Sequence, residues 1–294
     1  MKLTASACGK IIVSGEYAVV FGYPGISVPA PLTLQATFEQ TNIHSMKILW
    51  PEAEGTLWIP YLRKIIDLCI EPGAPYAGTL TIENTIPLQK GMGSSTALVI
   101  AISRALLGSN CKEQALSIED RVNPGHSGLD FEVIWNKKPI LFRKGKPPEF
   151  LDTSINQLID TSHNFSLIDT GKPDQTTAEL VAWVAARQHE PGVAAALQTI
   201  GHCTERLLKG EDIKEIFKAH HRAQVTLGIV PSHVQNFIAE IEESGGAAKV
   251  IGAGGRSGGG GIVLALAKNT STLAASYGYR CLNAQHRLHQ VLGE

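Results

Sequence analysis

The sequence predicts an α+β fold in two lobes, and three observations support this. The chain has 294 residues, which is long for one compact core. Its first half contains short apolar or alternating segments bounded by Gly, Pro or Asn, which are typical of strands. After about residue 150, longer segments carry apolar residues at helical spacing. With 44% hydrophobic and 18% charged residues, the composition is that of a globular protein.

The clearest strand is Leu32 to Glu39, where apolar and polar residues alternate with a period of two. This alternation predicts one buried and one exposed face. Two further strands are expected around a glycine-rich turn late in the chain, at Ala248 to Ile251 and Gly261 to Ala265. The remaining predicted strands are Lys10 to Ser14, Gly25 to Ala30, Met46 to Trp50, Thr79 to Glu83 and Pro139 to Phe142.

Helical spacing of apolar residues predicts a helix within Leu57 to Cys69 and a buried helix that ends at Gly108. In the last predicted helix, Ser232 and Gln235 are spaced as a capping box. The histidine pairs at 220 and 221 and at 286 and 289 lie in helical stretches without clustered carboxylates, so we expect them at the surface. The helices predicted in the second half are Thr177 to Gln188, Gly192 to Lys209, Ile213 to Gly228 and Ser232 to Ser244.

Charge and cysteine content exclude several classes of function. The 26 basic and 27 acidic residues give a formal net charge of −1, so a nucleic-acid partner is not expected. The five cysteines are odd in number and lack a CxxC pair, which indicates reduced thiols. No apolar stretch has the length of a signal peptide core or a membrane span, so we expect a cytoplasmic protein. The sequence leaves a homodimer open.

The strongest chemical signal is the segment IPLQKGMGSSTALVIA, residues Ile86 to Ala101, in which a loop of Gly and Ser opens onto an apolar helix. Glycines let the backbone approach an anion, and the helix N-terminus adds partial positive charge. The loop therefore predicts phosphate binding, although a Gly/Ser cap on a core helix is the simpler alternative for this motif alone. It lacks the Lys of a Walker A loop, so a P-loop fold is not expected.

Three further segments occur in a recognisable order around that loop. They are SACGKIIVSGEYAVVFGYPGISVPA at Ser6 to Ala30, EDRVNPGHSGLD at Glu119 to Asp130, and AAKVIGAGGRSGGGGIVLALA at Ala247 to Ala267. Together with the Gly/Ser loop they resemble the GHMP kinase family, and within it the mevalonate branch. The sequence departs from the family pattern at Cys8, Tyr17, Asn123, Pro124, His126, Ile251, Arg256 and Ser257.

The resemblance implies a ribosomal-S5-like N-terminal α/β domain that binds nucleotide, at residues 1–155, and a ferredoxin-like C-terminal α+β domain, at residues 156–294. It also implies a kinase that uses ATP and Mg²⁺ to phosphorylate the hydroxyl of mevalonate. Phosphomevalonate and the acceptors of other GHMP kinases are the alternatives for substrate. A protein of the same fold that binds nucleotide or metabolite without catalysis is the alternative outside enzymes.

Residue roles follow from the same resemblance. Asp130 and Lys10 are the implied catalytic pair, with Asp130 facing the acceptor hydroxyl, while Ser95 and Glu119 are the implied Mg²⁺ ligands. The implied ATP-binding residues are Lys90, Gly91, Met92, Gly93, Ser94, Ser95, Thr96, Gly252, Ala253 and Gly254. The implied substrate-binding residues are Glu16, Tyr17, Asp130 and Thr177.

Overall fold

The computed structural model describes residues 2–41, 45–71, 77–151 and 165–282. The strands are β1 (Lys2–Ser14), β2 (Gly25–Gln40), β3 (Met46–Leu49), β4 (Gly78–Asn84), β5 (Ile140–Phe142), β6 (Glu149–Phe150), β7 (Phe165–Asp169), β8 (Ala247–Ile251), β9 (Ile262–Leu266) and β10 (Arg280–Leu282). The helices are α1 (Trp58–Ile70), α2 (Ser94–Leu107), α3 (Lys112–Val122), α4 (Leu129–Asn136), α5 (Thr177–Ala186), α6 (Pro191–Leu208), α7 (Ile213–Leu227), α8 (Ser232–Glu243) and α9 (Thr270–Ser276). Short 3₁₀ helices occupy Ala18–Phe21 and Pro51–Ala53.

The chain forms two compact units that are discontinuous in sequence. The first comprises Met1–Gly9, Leu32–Pro87 and Gly93–Lys137, and the second comprises Lys10–Pro31, Leu88–Met92 and Lys138–Glu294. The predicted domain boundary near residue 155 lies outside the described residues and stays a prediction.

The first unit contains a small sheet and a group of packed helices. Strand β2 pairs antiparallel with β4 from Leu34 opposite Asn84 to Gln40 opposite Gly78, and β3 pairs parallel with β4. Helix α2 packs against α1, α3 and α4. It is buried on nearly every side, as its continuous apolar sequence predicts. Its observed end, with Gly108 as the C-cap, also confirms the prediction.

In the second unit, an antiparallel sheet has the strand order β10-β7-β9-β8. Helices α5 to α8 connect β7 to β8, β8 and β9 are consecutive, and α9 leads to β10. This is the β-α-β-β-α-β connectivity of ferredoxin-like folds, with the first helical connection expanded to four helices. Helices α7 and α8 pack on β8. The predicted α+β fold class is confirmed.

Two details of the helices correct the sequence predictions. No capping box forms at Ser232, because Pro231 is the N-cap of α8 and Ser232 is already the first helical residue. A capping box is found instead at the start of α5, where the Thr176 side chain accepts from the Glu179 N–H group and Glu179 bonds back to the Thr176 backbone.

The prediction that His220 and His221 lie at the surface is wrong. Both side chains are buried, at 0% and 8% exposure. They lie on α7, whose buried residues also include Phe217 and Gln224. The second predicted pair, His286 and His289, lies outside the described residues.

Among the described residues, no helix is both long and apolar enough to cross a membrane. All five cysteines are free thiols, and only Cys281 is partly exposed. Four of the thiols are buried, as predicted, and burial raises the pKa of Cys8 to about 11.

The buried histidine predicts a pH dependence of stability. Burial, with the charges of nearby basic groups, lowers the pKa of His221 from 6.5 to about 4. Because the folded pKa lies below the unfolded one, the stabilisation is present above pH 6.5 and is lost as pH falls towards 4. We expect the free energy of unfolding to drop by roughly 2 kcal/mol between about pH 7 and pH 5 through this group.

Urea denaturation at both pH values measures this drop, and His221→Gln should reduce it. His233→Gln, which changes an exposed histidine on α8, is the matched control and should retain the wild-type pH dependence. An equal pH dependence in the His221→Gln and wild-type proteins would contradict the assignment.

Candidate active site

The Gly/Ser loop leads into helix α2 through two glycines in left-handed backbone conformations. Gly91 has φ 84° and Gly93 has φ 73°, and Gly93 is the N-cap of the helix. Ser94, Ser95 and Thr96 then form the first turn, where backbone N–H groups have no intrahelical acceptor. This is the local geometry that binds phosphate oxygens.

In the first unit, the hydroxyl groups of that turn lie beside a buried carboxylate. The Thr96 hydroxyl donates to Oε1 of Glu119 over 2.7 Å. Ser95 forms a hydrogen bond with Tyr61, whose hydroxyl also donates to Oδ1 of Asn123 over 3.1 Å. The structure therefore places Thr96 beside Glu119, and Ser95 beside Tyr61 and Asn123.

The Glu119 carboxylate is electrostatically unsatisfied. Its side chain is 1% exposed, and Oε2 is buried without a hydrogen-bond partner among the described residues. Burial raises the pKa of Glu119, and the neighbouring Asp130 adds to this, although the hydrogen bond from Thr96 acts in the opposite direction. A buried carboxylate in this state is stabilised by a cation.

Asp130 lies in the first turn of α4 and is half-buried. Gly128, with φ 92°, is the N-cap of that helix. His126, a departure from the family pattern, accepts from the Gly128 N–H group through Nδ1 over 3.2 Å and contacts Asp120 through Nε2 over 2.7 Å. His126 thus shapes the loop that leads to Asp130.

In the second unit, the start of the Gly/Ser loop lies against the late glycine-rich turn. A Cβ atom on Gly91 would lie 2.6 Å from the carbonyl oxygen of Ile251, and one on Gly252 would lie 2.6 Å from the Cα of Gly91. Such distances leave room only for glycine at both positions. The predicted nucleotide residues Gly91 and Gly252 are therefore in direct backbone contact.

Two further contacts fix the same loop. The Lys10 N–H group donates to the carbonyl oxygen of Met92 over 3.0 Å, and the side chains of Lys10 and Met92 are buried. The Lys90 ammonium lies 2.6 Å from Oδ2 of Asp169, at the end of β7. The other Asp169 oxygen accepts from the N–H group of Gly171. Lys90 is thus neutralised by a carboxylate.

The implied substrate residues Glu16 and Tyr17 are both buried. The Tyr17 hydroxyl donates to the carbonyl oxygen of Ala253 over 2.5 Å, and Glu16 pairs with Lys249 and His220. The nearby Gly254 packs on Ile229, whose carbonyl oxygen would clash with a Cβ atom on Gly254.

Thr177 is exposed at the first residue of α5. The segment before it contacts the glycine-rich turn, because the Gln175 amide donates to the Ser257 hydroxyl and accepts from the Arg256 N–H group. The Arg256 guanidinium stacks on Trp183 at 3.8 Å from the ring centroid. Arg256 and Ser257, which depart from the family pattern, are therefore held by contacts with the α5 region.

Sequence reasoning missed Lys249, His220 and Asp169. The sequence does contain signals for the first two. Lys249 interrupts an otherwise apolar strand, and a charge there requires a buried partner. His220 is four residues after Ile216 and seven before Leu227, which places it on the apolar face of α7.

Comparison with known sequences agrees with this geometry. Residues 60–126 match the family model described as GHMP kinases N terminal domain. A mevalonate kinase of Archaeoglobus fulgidus is 28% identical over 288 residues, which cover 90% of this chain and 93% of the relative. A mevalonate kinase of Methanocaldococcus jannaschii is 25% identical, with 87% of this chain and 89% of the relative covered.

Solved structures show the same fold. The Methanococcus jannaschii mevalonate kinase superposes with a TM-score of 0.78 at 20% identity, covering 96% of both chains. The L. major mevalonate kinase in complex with R-mevalonate gives a TM-score of 0.71 at 20% identity, covering 98% of this chain and 90% of the other. The fold is therefore that of the GHMP kinases. Within this class, the relatives that the chain resembles over most of its length are mevalonate kinases.

The glycine contact predicts a specific effect of substitution. Gly91→Ala should destabilise the protein by about 2–4 kcal/mol, because it adds a backbone clash to the cost of a left-handed alanine. Gly210→Ala is the matched control, since Gly210 has φ 73° but open space around its Cβ position. It should cost about 1 kcal/mol.

Urea denaturation of both variants gives the difference in free energy of unfolding. Equal destabilisation by the two substitutions would show that the contact between Gly91 and Gly252 is not as close as described.

Proposed function

We propose that this protein is an ATP-dependent kinase that transfers a phosphoryl group to the hydroxyl of mevalonate and yields 5-phosphomevalonate. The observation that carries the proposal is the placement of a buried carboxylate, Glu119, beside the first turn of α2, where the glycine loop opens onto the helix. The mevalonate kinases that align along most of the chain support the choice of acceptor.

Phosphoryl transfer depends mainly on alignment and on charge compensation, so few residues need to act chemically. The backbone N–H groups from Gly91 to Ser95 and the N-terminus of α2 would hold the phosphates of ATP. Asp130 would orient the acceptor hydroxyl or take up its proton. Lys10 would stabilise negative charge that develops during transfer.

The residues of the first unit fit a magnesium ion. Mg²⁺ prefers hard oxygen ligands and retains several waters, so one carboxylate and one hydroxyl suffice from the protein. The unpartnered Oε2 of Glu119 and the Ser95 hydroxyl are such ligands. Mg²⁺ would neutralise charge on the terminal phosphates of ATP.

The acceptor is tested by ADP release with ATP and Mg²⁺ in the presence of mevalonate, phosphomevalonate, galactose or homoserine. We expect turnover on mevalonate. Asp130→Asn should lower kcat by at least about 10²-fold, since it removes the group that receives the hydroxyl proton. Asp67→Asn, an exposed position on α1, is the matched control and should retain activity.

Other outcomes identify the alternatives. Turnover on phosphomevalonate alone would assign the second acceptor instead. Tight ATP binding without turnover on any of the four acceptors would favour a nucleotide-binding protein without catalysis.

The metal site predicts a separate result. Glu119→Gln should raise the Mg²⁺ concentration for half-maximal activity by about tenfold, because the amide keeps the size of the side chain but loses its charge. Glu113→Gln, at an exposed position on the same helix, should leave the Mg²⁺ dependence unchanged. The same Mg²⁺ dependence in Glu119→Gln and wild type would remove Glu119 from the metal site.

A further inference from the structure

Glu16, Lys249 and His220 form a buried ionic cluster in the second unit, with side-chain exposures of 1%, 0% and 0%. The Lys249 ammonium contacts Oε1 of Glu16, and Nε2 of His220 lies 2.9 Å from Oε2. Lys249 also donates to the carbonyl oxygens of Ile12 and Val250, over 3.3 and 3.2 Å. Both oxygens of the Glu16 carboxylate therefore face protein groups rather than a substrate.

The position of the proton on the His220 ring decides whether both oxygens of the Glu16 carboxylate have a hydrogen-bond donor. Nε2 can accept from the Gly15 N–H group over 3.4 Å or, when it carries the proton, donate to the Glu16 carboxylate over the shorter distance of 2.9 Å. An Nε2–H tautomer donates to the carboxylate, which would otherwise keep a buried oxygen without a donor, at a high cost. Burial and the Lys249 charge lower the pKa of His220, which favours the neutral imidazole. The cluster then contains one positive and one negative charge.

The cluster is connected to the glycine-rich turn by two short paths. One runs along β8, because Val250, which accepts from Lys249, is two residues before Gly252. The other runs through Tyr17, which follows Glu16, has φ 62° and donates its hydroxyl to the Ala253 carbonyl. A non-glycine residue with positive φ is held there only by its surroundings. The two paths end at adjacent residues of the turn.

We propose that Glu16 is a positioning residue and not a substrate contact. Together with Lys249 and His220, it fixes Tyr17 and the end of β8, and so holds Gly252 and Ala253 in the conformation that receives the nucleotide. The inference rests on the proposed kinase function, and it replaces the substrate role that the sequence resemblance assigns to Glu16. The nucleotide, rather than the acceptor, should respond when the cluster is altered.

The test compares Glu16→Gln, Lys249→Met and the double variant, with ATP affinity measured by calorimetry and KM measured separately for ATP and mevalonate. Lys249→Met leaves a buried carboxylate without its cation, so we expect ATP affinity to fall by about 10- to 100-fold. The double variant removes both charges and should recover ATP affinity to within about fivefold of wild type. The KM for mevalonate should change by less than about threefold throughout.

His220 provides a second comparison that does not remove a charge. His220→Gln keeps a donor for the Glu16 carboxylate and should retain ATP affinity, whereas His220→Leu should lose it. Lys218→Met, which breaks an exposed ion pair with Glu215 on the same helix, is the matched control and should bind ATP normally. Circular dichroism identifies variants that fail to fold. Should Lys249→Met fail, the double variant and the two His220 variants decide the result.

The outcomes separate the two proposals. A rise in the KM for mevalonate in Glu16→Gln and in the double variant, with ATP affinity unchanged, would overturn the positioning role and restore a substrate contact. Wild-type ATP affinity in Lys249→Met and His220→Leu would also overturn it. A wild-type protein that does not bind ATP would refute the kinase function itself, and the positioning role with it.

Discussion

The backbone contact between Gly91 and Gly252 is the constraint on which the predicted nucleotide residues of the second unit depend. Neither residue has space for a Cβ atom, so two loops from distant parts of the sequence meet through their main chains. Lys90 continues the contact, since its carbonyl oxygen lies 3.0 Å from the position of a Cβ atom on Gly261. The glycines in both loops are therefore required for packing as well as for the approach of an anion.

The local pattern of apolar, glycine and proline residues predicts much of the fold. Where the predicted elements differ from the observed ones, the difference has a physical cause. Helix α2 and strands β8 and β9 were predicted to within about a residue at most ends, because their apolar runs are bounded by Gly residues. Two predicted strands, in contrast, are one continuous strand, β2. Pro31 bounds the predicted strand Gly25 to Ala30, but Pro29 and Pro31 both lie outside the ladders that β2 forms with β5 and β4, so no hydrogen bond of those ladders is lost.

Only those parts of the candidate site that form continuous sequence motifs could be predicted. The glycine loop and the Glu119 segment are continuous in sequence, so their motifs are visible without a structure. The partners Lys249, His220 and Asp169 belong to other elements, and only tertiary packing shows what they contact. The family resemblance assigns Glu16 to substrate binding. Only the three-dimensional structure shows that Lys249 and His220 already occupy both oxygens of its carboxylate.

The ion pair between Lys90 and Asp169 has a consequence for selectivity among anions. Lys90 is the one cation within the loop sequence from Leu88 to Thr96, and its charge is already compensated by a carboxylate that is 7% exposed. An anion that draws Lys90 away removes the cation from the Asp169 carboxylate, which then keeps only the hydrogen bond from the Gly171 N–H group. This loss of charge compensation is unfavourable. A small inorganic anion has fewer oxygens to offset this loss. We therefore expect the loop to favour polyphosphates, which several backbone N–H groups can hold at once, over simple ions such as sulfate or chloride.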